Sequence, residues 1–279
     1  MSKKALCIGI NNYPGTHMDL QGCVNDANDW AAALQARAFA VTSLLDGQAT
    51  KAAMVAAMTS LISGAVKGDS LIITFSGHGT YQPDADSDEA DGLDEALCPH
   101  DIQTGGGALT DDEIRGIFAA TKSGVRLVLI SDSCHSGTVT RAAPSEPEAE
   151  APRPRFLPMG NWLPETSLPR TRSGQVAVQT NVAPKELSAF SRAVRKAEND
   201  LLLSGCKEGP NNYSYDAKIA GRYNGAFTYY ALKTLKTLPA TATYTDWHKA
   251  ISRYLPSASY PQAPQIVGTA TAKRQKVLS

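Results

Sequence analysis

This 279-residue sequence has no excess of charge, no membrane-spanning apolar run and no regular cysteine pattern. Lysine plus arginine equals aspartate plus glutamate, at 27 each, so we expect neither nucleic acid nor a membrane as a general partner. The short apolar run after Met1 is typical of a first strand, not of a signal peptide or a membrane span. The five cysteines are widely spaced and odd in number, which argues against a disulfide framework and favours a reducing cytoplasm.

Short apolar runs alternate with helical patterns over most of the chain. Strands are predicted at 5–10, 40–45, 70–75, 125–130, 201–206 and 262–267, and helices at 19–38, 50–65, 225–238, 245–255 and from Thr110 onward. Thr110 followed by Glu113 is a capping box, which marks a helix start. This alternation predicts an α/β fold with a mostly parallel central sheet of about six strands and helices on both faces.

Two of the predicted buried strands are followed by residues suited to catalysis. The run 70–75 leads to His78 between two glycines, and the run 125–130 leads to Cys134. Ligands of open α/β sheets bind at the carboxyl ends of the strands, so we expect both side chains at one edge. An imidazole activates a thiol for acyl transfer, and the amides of Gly79 and Cys134 could bind an oxyanion. His135 is a rival base, but adjacent side chains usually point apart.

The motifs SGHG (76–79) and DSCHSG (132–137), with the histidine 56 residues before the cysteine, resemble the caspase-like cysteine peptidases, in their metacaspase and orthocaspase branch. The resemblance implies one caspase-like domain in three parts. These are a large-subunit-like (p20) part over 1–140, a linker over 141–186 and a small-subunit-like (p10) part over 187–279. It also implies a monomer, because metacaspases differ in this from dimeric caspases.

The same resemblance implies a specificity (S1) pocket for the residue before the cleaved bond (P1). The segment GCVND (22–26) matches a metacaspase segment, so Cys23, Asp26, Ser76 and Asp132 are expected to line the pocket. Two carboxylates suit a P1 arginine or lysine. Cys23 could instead be a second nucleophile or a metal ligand, with its pKa lowered at a helix start. The spacing of cysteines and histidines does not fit zinc.

The acidic stretch 84–95 half resembles an EF-hand loop, but Glu89 stands where that loop needs glycine. Many metacaspases bind activating calcium, and the resemblance matches three of their ligands to Asp94, Asp111 and Asp112. The fourth falls near Arg141, a cation that could replace the ion. We therefore expect an enzyme that requires no cofactor, with calcium dependence as the alternative.

The segment 141–186 holds eight of the sixteen prolines, which predicts a mobile linker. Four arginines in it are of the expected P1 type: Arg153, Arg155, Arg170 and Arg172. Exposed loops are preferred sites of nicking. We expect a zymogen whose linker partly covers the cleft and is cut by the enzyme itself or by an upstream protease.

The function predicted from the sequence is a cytoplasmic cysteine endopeptidase that cleaves protein substrates after arginine or lysine. One alternative is a catalytically weak signalling or scaffold protein of the same fold that acts by partner binding, although an intact dyad argues against it. A small-molecule-binding α/β protein is less favoured, because the turn after the first strand carries no nucleotide-binding motif.

Overall fold

The computed structural model describes residues 1–83, 93–134, 151–168, 200–207 and 212–279. Its strands are β1 (Lys3–Gly9), β2 (Ala40–Leu45), β3 (Ser70–Ser76), β4 (Gly79–Pro83), β5 (Leu93–Leu97), β6 (Leu109–Thr110), β7 (Arg126–Asp132), β8 (Arg153–Pro154), β9 (Leu201–Ser204), β10 (Tyr215–Ile219), β11 (Arg222–Gly225) and β12 (Gln265–Gly268). Its helices are α1 (Cys23–Gln35), α2 (Lys51–Ser63), α3 (Asp111–Phe118), α4 (Ala226–Leu235), α5 (Tyr244–Ile251) and α6 (Ala270–Lys273).

The central sheet has six strands in the order β12–β9–β7–β3–β1–β2. Five of them are parallel, and only β12 at one edge is antiparallel. This confirms the predicted fold class. Two three-stranded sheets, β4–β5–β6 and β11–β10–β8, complete the described fold.

Successive residues of the central strands enter two different cores. Leu127 and Leu129 of β7 pack with α2 and α3, whereas Val128 and Ile130 pack with α1, α4 and α5. Alternate side chains point to opposite faces of a sheet, so a strand covered by helices on both sides must be apolar throughout. This explains why the continuous apolar runs in the sequence predicted the central strands.

The capping signals explain several helix starts, and a long-range contact explains one that the sequence placed wrongly. Thr50 and Thr110 cap α2 and α3 by accepting hydrogen bonds from Ala53 and Glu113 amides. Helix α1 begins at Cys23 instead of residue 19, because the side-chain oxygen of Asn11 accepts from the Cys23 amide at 2.8 Å. No helix in the described ranges combines the length and the apolarity needed to cross a membrane.

Part of the predicted mobile linker is ordered. Residues 151–168 contain β8 and two short 3₁₀ turns, and they pack against the rest of the molecule through buried Phe156, Leu157 and Trp162. The prediction of a mobile segment is therefore wrong for these residues, because apolar burial offsets the cost of ordering them. Residues 141–150 and 169–186 of the linker lie outside the described ranges.

Candidate active site

His78 follows the carboxyl end of β3 and is buried. Its Nε2 lies 2.6 Å from the carbonyl oxygen of Met18, which can only accept, so Nε2 carries the proton. Nδ1 is then the basic nitrogen, and it has no hydrogen-bond partner among the described residues. Burial lowers the pKa of His78 to about 4, so the imidazole is neutral and can accept a proton.

Cys134 lies two residues past the end of β7, on the strand that pairs with β3. The thiol is fully buried; its sulfur accepts from the Ser214 amide and donates to the Ser214 carbonyl at 3.6 Å. Burial raises the pKa of Cys134 well above its usual range, and contact with the Cys206 thiol acts in the same direction. In this closed arrangement Cys134 is a neutral thiol.

The backbone of Arg155 occupies the space between the two strand ends. The amides of Gly79 and Cys134 both donate to the carbonyl oxygen of Arg155, at 3.0 and 3.2 Å. The Arg155 amide donates to the Ser214 carbonyl at 2.8 Å, and β8 pairs antiparallel with β10. An extended peptide that adds a strand to an exposed edge is a common mode of peptide recognition. The chain therefore holds its own segment by the backbone pairing that is used to bind extended peptides.

The guanidinium of Arg155 is fully buried among three carboxylates. It lies 2.6 Å from Asp26, 3.2 Å from Asp132 and 3.0 Å from Asp216, and these acids are also buried. Burial by itself lowers the pKa of Arg155, but the acids outweigh it and hold that pKa well above its usual range. A buried cation of this kind is stable only because it is paired and hydrogen-bonded.

Hydrogen bonds from neighbouring elements hold the three carboxylates in position. Asp132 accepts from the amide and hydroxyl of Thr228 at the start of α4, at 2.9 and 2.7 Å. Asp26 accepts from Asn224 and from the Gly225 amide, both at 3.0 Å. A Cβ on Gly225 would collide with the Asp132 carboxylate and the Arg155 guanidinium, so this position requires glycine. Asp216 accepts from the Gly22 amide at 2.9 Å and from Gln21 at 2.8 Å.

Asp26 is the acid of this cluster whose ionisation is most clearly opposed by burial. Burial raises the pKa of Asp26 to about 7, while the nearby Arg155 acts in the opposite direction. A cation beside Asp26 therefore favours the charged form of this carboxyl group. This is the electrostatic basis for binding a basic side chain.

Cys23 and Ser76, the other two predicted pocket residues, are both buried close to this cluster. Ser76 lies opposite Asp132 in the register of β3 and β7. Cys23 begins α1, yet burial raises its pKa well above the usual range, so the predicted lowering by the helix start is wrong. Burial outweighs the helix dipole at this position.

The four predicted processing residues have different surroundings. Arg155 is buried, which contradicts its predicted exposure, because three acids offset the cost of burying its charge. Arg153 is partly exposed and donates to the Asp19 carbonyl at 3.2 Å. Arg170 and Arg172 lie outside the described residues, as does His135.

Comparisons with known proteins identify the family of this chain. A family model described as "Metacaspase, peptidase C14 domain" matches residues 3–143. Metacaspase-1 of Cryptococcus neoformans is 33% identical over 95% of this chain and 62% of its own length. Metacaspase-1 of Mycosarcoma maydis is 31% identical over 95% of this chain and 69% of its own.

This chain belongs to the metacaspase family. The family is one of cysteine-type peptidases, and the chain spans about 62% of the length of the first curated relatives. Among solved structures, protein GSU0716 of Geobacter sulfurreducens matches with a TM-score of 0.71 at 30% identity, covering 100% of this chain and 99% of that one. Caspase-1 of Spodoptera frugiperda matches in fold alone, with a TM-score of 0.55 at 10% identity over 95% and 86% of the two chains.

The three acids that the family resemblance matches to calcium ligands have different surroundings in the described part of the chain. Asp94 and Asp111 are buried, and Asp94 accepts from Gln82 at 3.3 Å, whereas Asp112 is ion-paired with Arg115. Across the described ranges, no three acidic, histidine or cysteine side chains are grouped as metal ligands. Arg141 lies outside those ranges.

Sequence reasoning missed two features of this metacaspase site. Asp216 belongs to β10, in a stretch without a recognisable motif, and only the fold brings it to the guanidinium of Arg155. Arg155 was one of four equivalent candidates. One sequence signal could have separated it: Phe156 and Leu157 follow it directly, and an apolar pair in a proline-rich stretch indicates burial.

Proposed function

We propose that this protein is a cysteine endopeptidase that cleaves after arginine or lysine, with Cys134 as nucleophile and His78 as base. One observation carries the proposal: Arg155 has its carbonyl oxygen on the Gly79 and Cys134 amides and its guanidinium on three carboxylates. Membership of the metacaspase family supports the reaction class.

The proposed reaction follows from these positions. His78 Nδ1 takes the proton from the Cys134 thiol as the sulfur attacks the carbonyl carbon of the P1 residue. The electron pair of the carbonyl moves onto its oxygen, where the amides of Gly79 and Cys134 stabilise the charge. The imidazolium then protonates the leaving amine, which leaves an acyl-enzyme thioester. Water, deprotonated by His78, hydrolyses the thioester and restores the thiol.

The three carboxylates explain the proposed preference for a basic residue. A guanidinium offers several N–H donors in one plane, and those of Arg155 reach Asp26, Asp132 and Asp216. An ammonium can also neutralise the acids, although with fewer donors. A P1 aspartate would add a fourth negative charge to a buried cluster, so we expect no cleavage after aspartate.

We also propose that the linker keeps this enzyme inactive until it is cut. The segment around Arg155 fills the cleft, so other substrates must displace it or wait for its removal. Because Arg155 lies in the cleavage position, the bond from Arg155 to Phe156 is the expected site of self-cleavage. Cys134 and His78 are both buried beneath it, which excludes water and substrate from the dyad.

Purified wild-type chain and Cys134→Ala provide the test. Both are incubated with fluorogenic peptides that end in arginine, lysine or aspartate, and the chains themselves are followed by gel and mass spectrometry. We expect cleavage after arginine and lysine by the wild type only, and a new chain that begins at Phe156. Equal cleavage after aspartate would contradict the proposed specificity, and cleavage by Cys134→Ala would contradict the proposed nucleophile.

A further inference from the structure

Resting on this proposed function, we infer that the enzyme also selects the two residues after the cleaved bond. The geometry points to an aromatic residue in the first position (P1′) and a large aliphatic residue in the second (P2′). Preferred substrates would then be proteins with a basic–aromatic–aliphatic sequence. The evidence lies in how the molecule holds its own Phe156 and Leu157.

Phe156 occupies an apolar subsite beside the nucleophile. It is only 7% exposed and belongs to the same apolar cluster as Cys134, Cys206 and Tyr213. The ring of Tyr81 packs edge-on against it, with centroids 5.8 Å apart and an interplanar angle of 62°. This edge-to-face arrangement is favourable for two aromatic rings. The subsite is therefore matched to a flat, apolar side chain.

Leu157 is more deeply buried, with no exposed surface, and joins the larger core cluster with Leu97 and Leu109. Its amide donates to the Gly79 carbonyl at 2.9 Å, and its carbonyl accepts from the Thr80 hydroxyl at 2.6 Å. The backbone of the P2′ residue is therefore hydrogen-bonded through both its amide and its carbonyl. A polar side chain here would be buried in an apolar environment.

Residues of the β4 strand and the turn before it connect both subsites to the reaction centre. His78 is the proposed base, the Gly79 amide contacts the P1 carbonyl, and the Gly79 carbonyl contacts the P2′ amide. Thr80 and Tyr81 then contact the P2′ and P1′ residues. Because one continuous backbone makes these contacts, good primed-side contacts place the cleaved bond accurately. The preference for an aromatic P1′ residue and an aliphatic P2′ residue should therefore be measurable in kcat/KM.

The first experiment uses peptides, so it does not depend on any variant folding. Self-processed wild-type enzyme is given four internally quenched peptides that are identical up to a P1 arginine and continue with Phe-Leu, Gly-Leu, Phe-Ser or Gly-Ser. We expect kcat/KM to fall by about tenfold for each apolar side chain removed, the usual effect of an emptied apolar pocket. An arginine-coumarin reporter serves as the control for proposed P1 cleavage.

The second experiment follows self-cleavage after Arg155 in the full chain. Phe156→Asp should slow it at least tenfold, whereas Thr166→Asp, the same charge at an exposed position of the same segment, should leave it unchanged. The inference is overturned if the four peptides are cleaved at equal rates, or if an enzyme that cleaves the reporter cleaves none of them. Either result leaves the proposed function standing. Failure to cleave the reporter would instead defeat the proposed function, and the inference with it.

Discussion

Replacement of Arg155 by glutamine should release the segment that fills the cleft. The substitution removes the only guanidinium that contacts Asp26, Asp132 and Asp216 in the described structure. Three buried acids then face one another without their cation. The molecule can relieve this by protonating an acid or by undocking residues 151–168 so that water reaches the pocket.

The expected size of the effect follows from the burial of the cluster. Removing one partner of a fully buried ion pair typically costs about 3–5 kcal/mol. At about 1.4 kcal/mol for each factor of ten, the population of the open form should rise by about two to three and a half orders of magnitude. Arg153 is partly exposed and its guanidinium donates to the backbone carbonyl of Asp19, so Arg153→Gln should change opening by about twofold at most.

The cost should also depend on pH. The pKa of Asp26 is about 7 with Arg155 in place, and Arg155 lowers it, so the substitution raises it further. At pH 5.5 Asp26 is protonated with or without Arg155, whereas at pH 8 it is charged in the wild type and, in the variant, must either stay charged without its cation or take up a proton at a cost. The destabilisation caused by Arg155→Gln should therefore be larger at pH 8 than at pH 5.5.

Hydrogen exchange followed by mass spectrometry measures this opening, and Cys134→Ala as the common background prevents cleavage during the experiment. The peptides to follow contain Gly79 and residue 134, whose amides donate to the Arg155 carbonyl in the closed form. Arg155→Gln should speed their exchange at least a hundredfold more than Arg153→Gln does. Similar exchange in the two variants, or a larger effect at pH 5.5, would refute the electrostatic account of the closed cleft.

Three further predictions test the pocket, the base and a helix cap. Asp216→Asn removes one charged acceptor, worth about 1.5–3 kcal/mol, so kcat/KM for an arginine peptide should fall at least tenfold. Asp246→Asn, the same change at an exposed residue in the first turn of α5, is the control and should not change it. Burial lowers the pKa of His78 from 6.5 to about 4, so at this site the unfolded chain binds more protons in that window, and the contribution of His78 to stability should drop by about 3 kcal/mol as pH falls through it. The difference in urea unfolding between Cys134→Ala and the same variant carrying His78→Gln isolates this contribution from that of Asp26, whose raised pKa acts in the opposite direction, and equal pH slopes would contradict it. Thr110→Ala should cost about 1 kcal/mol in the same assay by removing the cap of α3; an unchanged midpoint would contradict the cap's role.

Much of the architecture could be predicted from the sequence because the local signals are strong. A strand buried on both faces must be apolar throughout, and the runs that end near His78 and Cys134 meet this condition. Strand β2 lies at the predicted residues 40–45, and the Thr110 capping box is present. The family motifs sit at the ends of these strands, so their position in the fold follows from the same pattern.

The contents of the cleft were decided only by the tertiary structure. Neither Asp216 nor the choice of Arg155 among four arginines follows from local sequence, because both depend on contacts between residues far apart in the chain. The burial of the Arg155 guanidinium required three acids from α1, β7 and β10 to converge on one point. The sequence by itself determined the sheet and the candidate dyad through patterns of neighbouring residues, whereas only folding could bring the chain's own arginine to the position of a substrate.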